Sequence, residues 1–353
     1  MKILIDIGHP GHVHLFKNFA FELQGKGDII KFTTRQKEYE TELLAAYKFD
    51  YVSFGKHFSS LPGKIFGLFK FDLKLLLTAL KFRPDVFVSH GSIYAAHVSW
   101  LMGKPHLSME DSGNMEQIKL YRPFTKAILT PEVLPEKLGN KQIRYNGYHE
   151  IAYLHPAYFK PDSSVKQWLG LKNDEKFCII RFVSWKATHD LGHSGFSAEE
   201  KMQLILKLSE KFRVFISSEA TLPEELKKYQ IKLPPHLIHH ALAFAEIVIS
   251  EGATIASEAG VLGTPSIYVN SIERSYNQDQ EKYGTVYNFR SGKGVLEKAE
   301  QLLSEDKQAT RENSRKLIKD KIDVTAFMVW FIKHYPDSFN TMKENPDYQN
   351  RFK

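Results

Sequence analysis

Cysteine is nearly absent from this chain: Cys178 stands alone among 353 residues, which excludes an internal disulfide and a cysteine-built zinc site. Its neighbours Phe177 and Ile179 are apolar, so the thiol is expected in a core. No apolar run approaches the roughly 20 residues that span a bilayer. A long Lys/Arg run is missing as well, and no nucleic-acid module is recognisable, so no nucleic-acid partner is expected. The first glycine loop lacks the full Gly-x-Gly-x-x-Gly pattern and no acidic residue closes the second strand, which argues against a nicotinamide cofactor. Met1-Lys2 leads directly into the apolar Ile3–Ile7, without the basic and long apolar regions of a secretory leader, so a cytoplasmic protein is expected.

What remains is globular material, 42% hydrophobic and 25% charged, long enough for two domains. The net charge of +7 favours anionic partners. Strand-like runs at Ile3–Ile7, Ile29–Thr33, Asp85–Ser89, His106–Met109 and Lys126–Thr130 alternate with helical patterns, which is the rhythm of an α/β fold with a parallel sheet. A second series follows at Phe177–Val183, Arg213–Ser217, Ile247–Ser250 and Ser266–Val269. Two doubly wound, Rossmann-like units facing a cleft are implied. We place one domain at residues 1–150, a second at 151–320, and a terminal helix with a frayed polar tail at 321–353. Gly147–Asp162, rich in aromatics and with two prolines, reads as the connector.

Three loops carry candidate chemistry. Residues 250–265 follow an apolar run and open a helix, so the N–H groups of Gly252, Ala253, Thr254 and Ile255 are placed to receive a phosphate, with the helix dipole behind them. Glu258, one turn further on, has the chemistry to accept two hydrogen bonds from a ribose diol. The plain alternative is an ordinary strand-turn-helix corner closed by Gly263-Thr264-Pro265. After the first strand, Gly8-His9-Pro10-Gly11-His12-Val13-His14 sets three histidines at a helix mouth. His12 is a candidate general base there, with His9, Gly11 and His14 on the acceptor side. A metal is not expected, because residues 12 and 14 do not share a helical face. After the strand at 177–183, Ser184, Lys186 and His189 are candidates to hold a diphosphate leaving group. Asn277 and Gln278, in the amide-rich 270–279 segment, are suited to reading sugar hydroxyls or, alternatively, to capping a helix.

Lys64–Phe82 is a basic amphipathic stretch, with Lys70, Lys74 and Lys81 on one face. Either it lies on an anionic membrane surface, at the inner face of the cell membrane, or it packs on the sheet with its lysines in water.

With these loops the chain resembles the GT-B superfamily of two-domain glycosyltransferases, and among them the UDP-N-acetylglucosamine transferases of peptidoglycan synthesis. Gly11-His12-Val13 matches their first glycine loop, and Gly252-Ala253 with Ser257-Glu258 through Gly263-x-Pro265 matches their nucleotide signature. The resemblance implies that His12 is catalytic, that the backbone at 253–255 holds phosphate and that Glu258 binds ribose, with residues 1–150 as the acceptor-side domain, 151–320 as the nucleotide-sugar domain and the terminal helix returning to the first. It also implies a UDP-sugar as donor substrate, no separate cofactor and no metal, and a cell-envelope glycan or lipid-linked hydroxyl as acceptor. The family's Gly-Gly-Ser diphosphate loop and its paired glutamines are absent. Over nearly its whole length the chain also resembles the bacterial and archaeal domain of unknown function numbered 354, through Gly147-Tyr148-His149-Glu150, Arg181-Phe182 and His189-Asp190-x-Gly192. The non-hydrolysing UDP-N-acetylglucosamine 2-epimerases are the rival resemblance. Glu110 is similar to a catalytic glutamate of theirs, but Gly91-Ser92 stands where they carry Gly-Asp. A binding or scaffold protein without chemistry is the third alternative.

Overall fold

The computed structural model describes residues 1–36, 38–56, 61–172, 174–183, 195–218 and 221–353. They form two units, Met1–Tyr153 with Lys321–Lys353, and Leu154–Asp320.

The first unit is built on a seven-stranded sheet in the order β3-β2-β1-β4-β5-β6-β7. Its strands are β1 (Lys2–Ile7), β2 (Ile29–Gln36), β3 (Tyr51–Lys56), β4 (Val86–His90), β5 (His106–Met109), β6 (Ala127–Pro131) and β7 (Gln142–Tyr145). Every neighbouring pair runs parallel. The chain reverses direction across the sheet between β1 and β4, so the loops after these two strands diverge and leave a crevice at their carboxyl ends. The Pro10–Gly25 helix starts immediately after β1: Pro10 occupies the first turn, and His9 caps it by accepting the Gly11 N–H at its Nδ1, 3.1 Å away.

The second unit carries a five-stranded parallel sheet in the order β12-β11-β10-β8-β9. Its strands are β8 (Phe177–Phe182), β9 (Arg213–Ser218), β10 (Val248–Ser250), β11 (Ser266–Val269) and β12 (Val286–Phe289). Here the reversal falls between β8 and β10. Cys178 is buried in this core among Ile180, Val214 and Ile247.

The boundary between the two units falls after Tyr153, inside the 147–162 connector, and its aromatics are packed: His149–Leu154 is a helix, with Tyr148, Ile151, Ala152, Tyr153 and Leu154 all buried. One expectation is corrected: the polar tail is not frayed. It folds as a helix over Asp337–Glu344 and a 3-10 turn over Pro346–Phe352, pinned where the Trp330 ring packs at a tilt against Tyr348 and Phe352, with ring centroids 4.9 and 5.5 Å apart. The Val324–Lys333 helix returns to the first unit, as the fold class requires. Thr325 donates to the Ala152 carbonyl at 2.7 Å, and Lys333 pairs with Asp28 at 2.9 Å. Gly147 makes the approach feasible, since a Cβ there would sit 2.6 Å from Val324 Cγ2.

Candidate functional site

At the β1/β4 crevice, four polar side chains from separate segments meet. His12 follows β1, His90 ends β4, Asp111 follows β5, and His149 opens the helix after β7. Asp111 holds one imidazole with each oxygen: His90 Nε2 lies 2.9 Å from Oδ1, and His149 Nδ1 lies 3.0 Å from Oδ2. The His12 ring stacks on His90 at 4.4 Å between centroids. Burial works against a charge on Asp111, but the two imidazoles overcome it and hold the carboxyl well below its usual range. His90 is also penalised by burial, yet its bond to Asp111 and the charge there raise it to about 9. His12 goes the other way: burial first, then the neighbouring His90 and His9, hold it well below 6.5. The centre at neutral pH is therefore a cation on an anion, with an uncharged imidazole stacked over the cation.

The tautomer of His12 follows from its partner. The Gly8 N–H, which can only donate, meets His12 Nδ1 at 3.3 Å, so neutral His12 carries its proton on Nε2. In this state the ring offers a hydrogen-bond donor to a substrate oxygen; acting as a base requires the Gly8 contact to be exchanged. His90, Asp111 and His149 also bring donor atoms within 4.8 Å of one another, the set a metal ion would use. Each oxygen of Asp111 has an imidazole partner, while His149 Nε2 is buried without a hydrogen-bond partner among the described residues.

The other acceptor-side candidates are placed differently. His9 is an exposed cap, with Glu38 3.8 Å away. Gly11 lies beside it in the first helical turn. His14 is not brought to the cluster: it is buried between Tyr47 and Tyr153 on another face of the helix. Glu110 is buried one layer behind, where its Oε1 accepts from the Ser112 N–H and hydroxyl and from the Gly113 N–H, and its Oε2 from the Tyr121 hydroxyl. These bonds shape the turn after β5 and take up the carboxylate that the sequence reading offered to catalysis.

In the second unit, β10 ends at Ser250 and the Ala253–Val261 helix begins at once. Gly252 is the N-cap residue, and no described side chain caps the helix. Ser250 Oγ instead holds the Gly252 N–H and carbonyl, at 3.0 and 2.7 Å. The first-turn N–H groups of Ala253, Thr254 and Ile255 thus lack a side-chain cap, and Thr254 is exposed. Glu258 departs from expectation. It is 3% exposed and bonded to His239 Nε2 at 3.0 Å, a side chain turned into the unit rather than presented to a ribose. Asn277 is fully buried and ties the helix start by donating to the Ala253 carbonyl at 3.3 Å. Gln278 does reach a cavity, of about 180 Å³, at the carboxyl ends of β11 and β12, shared with Tyr268, Asn270, Glu273 and Asn288. Ser184, Lys186 and His189 lie outside the described residues. The segments flanking them converge on Glu251, which accepts from the Val183 and Phe196 N–H groups and pairs with buried Lys201 at 3.0 Å. Sequence reasoning missed Glu251, His90, Asp111 and His239.

Two parallel sheets of seven and five strands, each with its loops opening at a strand reversal, define the GT-B class of α/β protein. The chain belongs to the family described as "Protein of unknown function (DUF354)", whose model matches residues 1–330. No curated protein matches the chain. Among solved structures it is similar to a putative UDP-N-acetylglucosamine 2-epimerase from Listeria monocytogenes, with a TM-score of 0.70 at 12% identity over 96% of this chain and 97% of that one. The UDP-GlcNAc 2-epimerase from Neisseria meningitidis bound to UDP-GlcNAc matches with a TM-score of 0.61 at 15% identity, over 91% of this chain and 99% of that one. The spinosyn rhamnosyltransferase SpnG matches at 0.57 and 13%, over 91% and 95%. At such identities the likeness establishes the fold.

Proposed function

We propose that this protein is a nucleotide-sugar enzyme that transfers a sugar from a nucleoside diphosphate, UDP, to a hydroxyl of a cell-envelope glycan or lipid-linked acceptor, without a metal ion. The observation that carries this reading is the uncapped start of the Ala253–Val261 helix at the strand reversal of the second sheet. Its amides and dipole are matched to a diphosphate, which supports binding and also eases departure of the leaving group. Gln278 reads hydroxyls from the adjoining cavity. On the acceptor side, the attacking hydroxyl meets His12 at Nε2: giving up the Gly8 contact lets the ring carry its proton on Nδ1 instead, so the bare Nε2 takes the hydroxyl proton, with His90 stacked against the ring. Ser184, Lys186 and His189 remain assigned to the diphosphate by their position after β8. The ribose role passes from Glu258, held by His239, to groups around the cavity. A lipid-linked acceptor implies work at the inner membrane face, with contact through the 64–82 helix.

Thermal shift with UDP and UDP-N-acetylglucosamine tests the donor site. Saturation at about 100 times Kd raises stability by about 2.7 kcal/mol. Ala253→Pro is the matched variant, because proline suits the first position of a helix and Gly252, at φ −95 and ψ 124, already has the extended backbone that must precede it. The substitution deletes one N–H, so we expect UDP affinity to fall by about tenfold or more with the ligand-free melting temperature nearly unchanged. No shift with any nucleotide overturns the reading, and formation of the C2 epimer replaces transfer with epimerisation.

A further inference from the structure

We propose that the outward face of the Leu61–Phe82 helix, continued by Trp100 and Leu120, docks on an anionic phospholipid surface. The helix packs on the sheet through Phe71, Leu75 and Ala79, which are buried with Leu4 and Phe87. That accounts for one apolar face. A second remains outside: Phe69, Leu73, Leu77 and Leu80 follow the spacing of a single stripe and are between 53% and 72% exposed. Leucines and a phenylalanine so placed bury less than half of their surface on folding, and scattered exposure does not explain them, since seven of the fourteen large exposed hydrophobics among the described residues fall between Phe69 and Leu120.

The neighbouring elements extend the same surface. Asp72 of the stripe helix bonds His97 Nδ1 at 2.9 Å, and Phe124 sits edge-on to both His97 and Trp100, at 4.9 and 5.6 Å between ring centroids. Trp100 is itself 61% exposed, a ring with one apolar body and one N–H, suited to the headgroup level of a bilayer.

The charge around this surface identifies what covers it. By the 3.6-residue repeat, Lys70, Lys74 and Lys81 line one edge of the stripe, the Lys74 ammonium donating to the Phe54 carbonyl at 2.9 Å. Beyond Trp100 lie exposed Lys104, Lys119, Arg122 and Lys126. Lys141 is held below its ordinary value by burial and by the charges of Lys126 and Arg122, so these cations crowd one another. A second copy of this face would bring like charges together, whereas anionic lipid satisfies both the apolar stripe and its basic margins. Lysine stems can lie along the apolar stripe while their ammonium groups reach phosphates. No described helix is long and apolar enough to cross the membrane, so the contact is peripheral. The inference deepens the lipid-linked branch of the proposed function and rests on that branch for its purpose, but it is tested without nucleotide or transfer.

The test is co-sedimentation of the full chain with phosphatidylcholine vesicles, with and without an equal share of phosphatidylglycerol. We expect binding to the anionic vesicles to be stronger by about tenfold or more and to weaken with salt. The double variant Leu73→Ser/Leu77→Ser should lower it by a similar factor with only a small drop in melting temperature, because both side chains are more than half exposed and serine is a slightly weaker helix former. Charge reversal at Lys119, Arg122 and Lys126 should remove the preference for anionic lipid. Equal or absent binding to the two vesicle types overturns the proposal, as does a solution dimer that the double serine variant dissociates. Failure here leaves the UDP thermal shift intact, so the two readings fail separately.

Discussion

Replacing Asp6 by asparagine is expected to destabilise the first unit by about 3–5 kcal/mol, the cost of leaving one member of a buried ion pair alone. Asp6 is completely buried in β1, and its two oxygens each lie 2.8 Å from Arg35 Nη1. They also accept from Thr33 Oγ1 at 2.7 Å and Ser92 Oγ at 2.5 Å. Arg35 Nη2 donates to the Ile7 carbonyl at 2.9 Å, and its guanidinium lies over the Tyr94 ring at 4.5 Å. One carboxylate therefore ties together β1, β2 and the helix after β4, beside the loop that carries His12. Its loss consumes a large part of the 5–15 kcal/mol that roughly holds a domain folded. Urea denaturation checks the size. Arg35→Met should cost a similar amount, while the double variant should lose far less than the sum, because replacing both partners removes the stranded charge. Equal and additive losses would show that the pair acts through packing alone.

The legible part of this molecule was its centre. Strands β1, β4, β5, β6, β8, β10 and β11 are almost wholly buried and read as short, mainly apolar runs, with single polar residues such as Asp6 and His106 set among them. The strands missed were β3, β7 and β12, which stand at sheet edges. Their residues are only partly covered, so Tyr51–Lys56 and Gln142–Tyr145 mix polar with apolar side chains and carry no run to detect. The candidate site divides the same way. The loops at Gly8–His12 and Gly252–Ile255 were found because each joins an apolar run to a helix start. The convergence of His90, Asp111 and His149 depends on strand order, which spacing along the chain does not contain. A usable signal did exist: His90 ends one strand, and Asp111 and His149 follow two others within a few residues, where a parallel sheet gathers its functional groups. Glu258 misled for the opposite reason. Its distance from the helix start was correct, but nothing local announces that His239, on another helix, claims the carboxylate.

Stability should peak near pH 6.5 and fall on both sides, because two buried histidines are displaced in opposite directions. His90 sits in the grip of Asp111, with His12 stacked on it, His149 edge-on and Glu110 nearby. Folding raises it from 6.5 to about 9 against the burial that opposes its charge. Its contribution is complete below 6.5 and is lost as pH rises through about 9, a difference of about 3 kcal/mol. His106 is completely buried, bonded through Nε2 to Ser89 and through Nδ1 to Thr125, each at 2.8 Å, and burial lowers it to about 3. The unfolded chain takes up that proton first, so stability falls from pH 6.5 toward 3 by about 5 kcal/mol. His12, also lowered, adds to the same acid loss. Asp111, held well below its ordinary 3.8, adds a further loss as pH falls below that value. Denaturation midpoints measured across pH, with His90→Gln and His106→Gln alongside, separate the two limbs. The first variant should flatten the alkaline side and the second the acid side, each from a lower maximum. A curve that stays level from pH 4 to pH 9 in the unaltered protein would mean that these imidazoles carry the same protons folded and unfolded, and the charge pattern drawn for the β1/β4 crevice would fall with it.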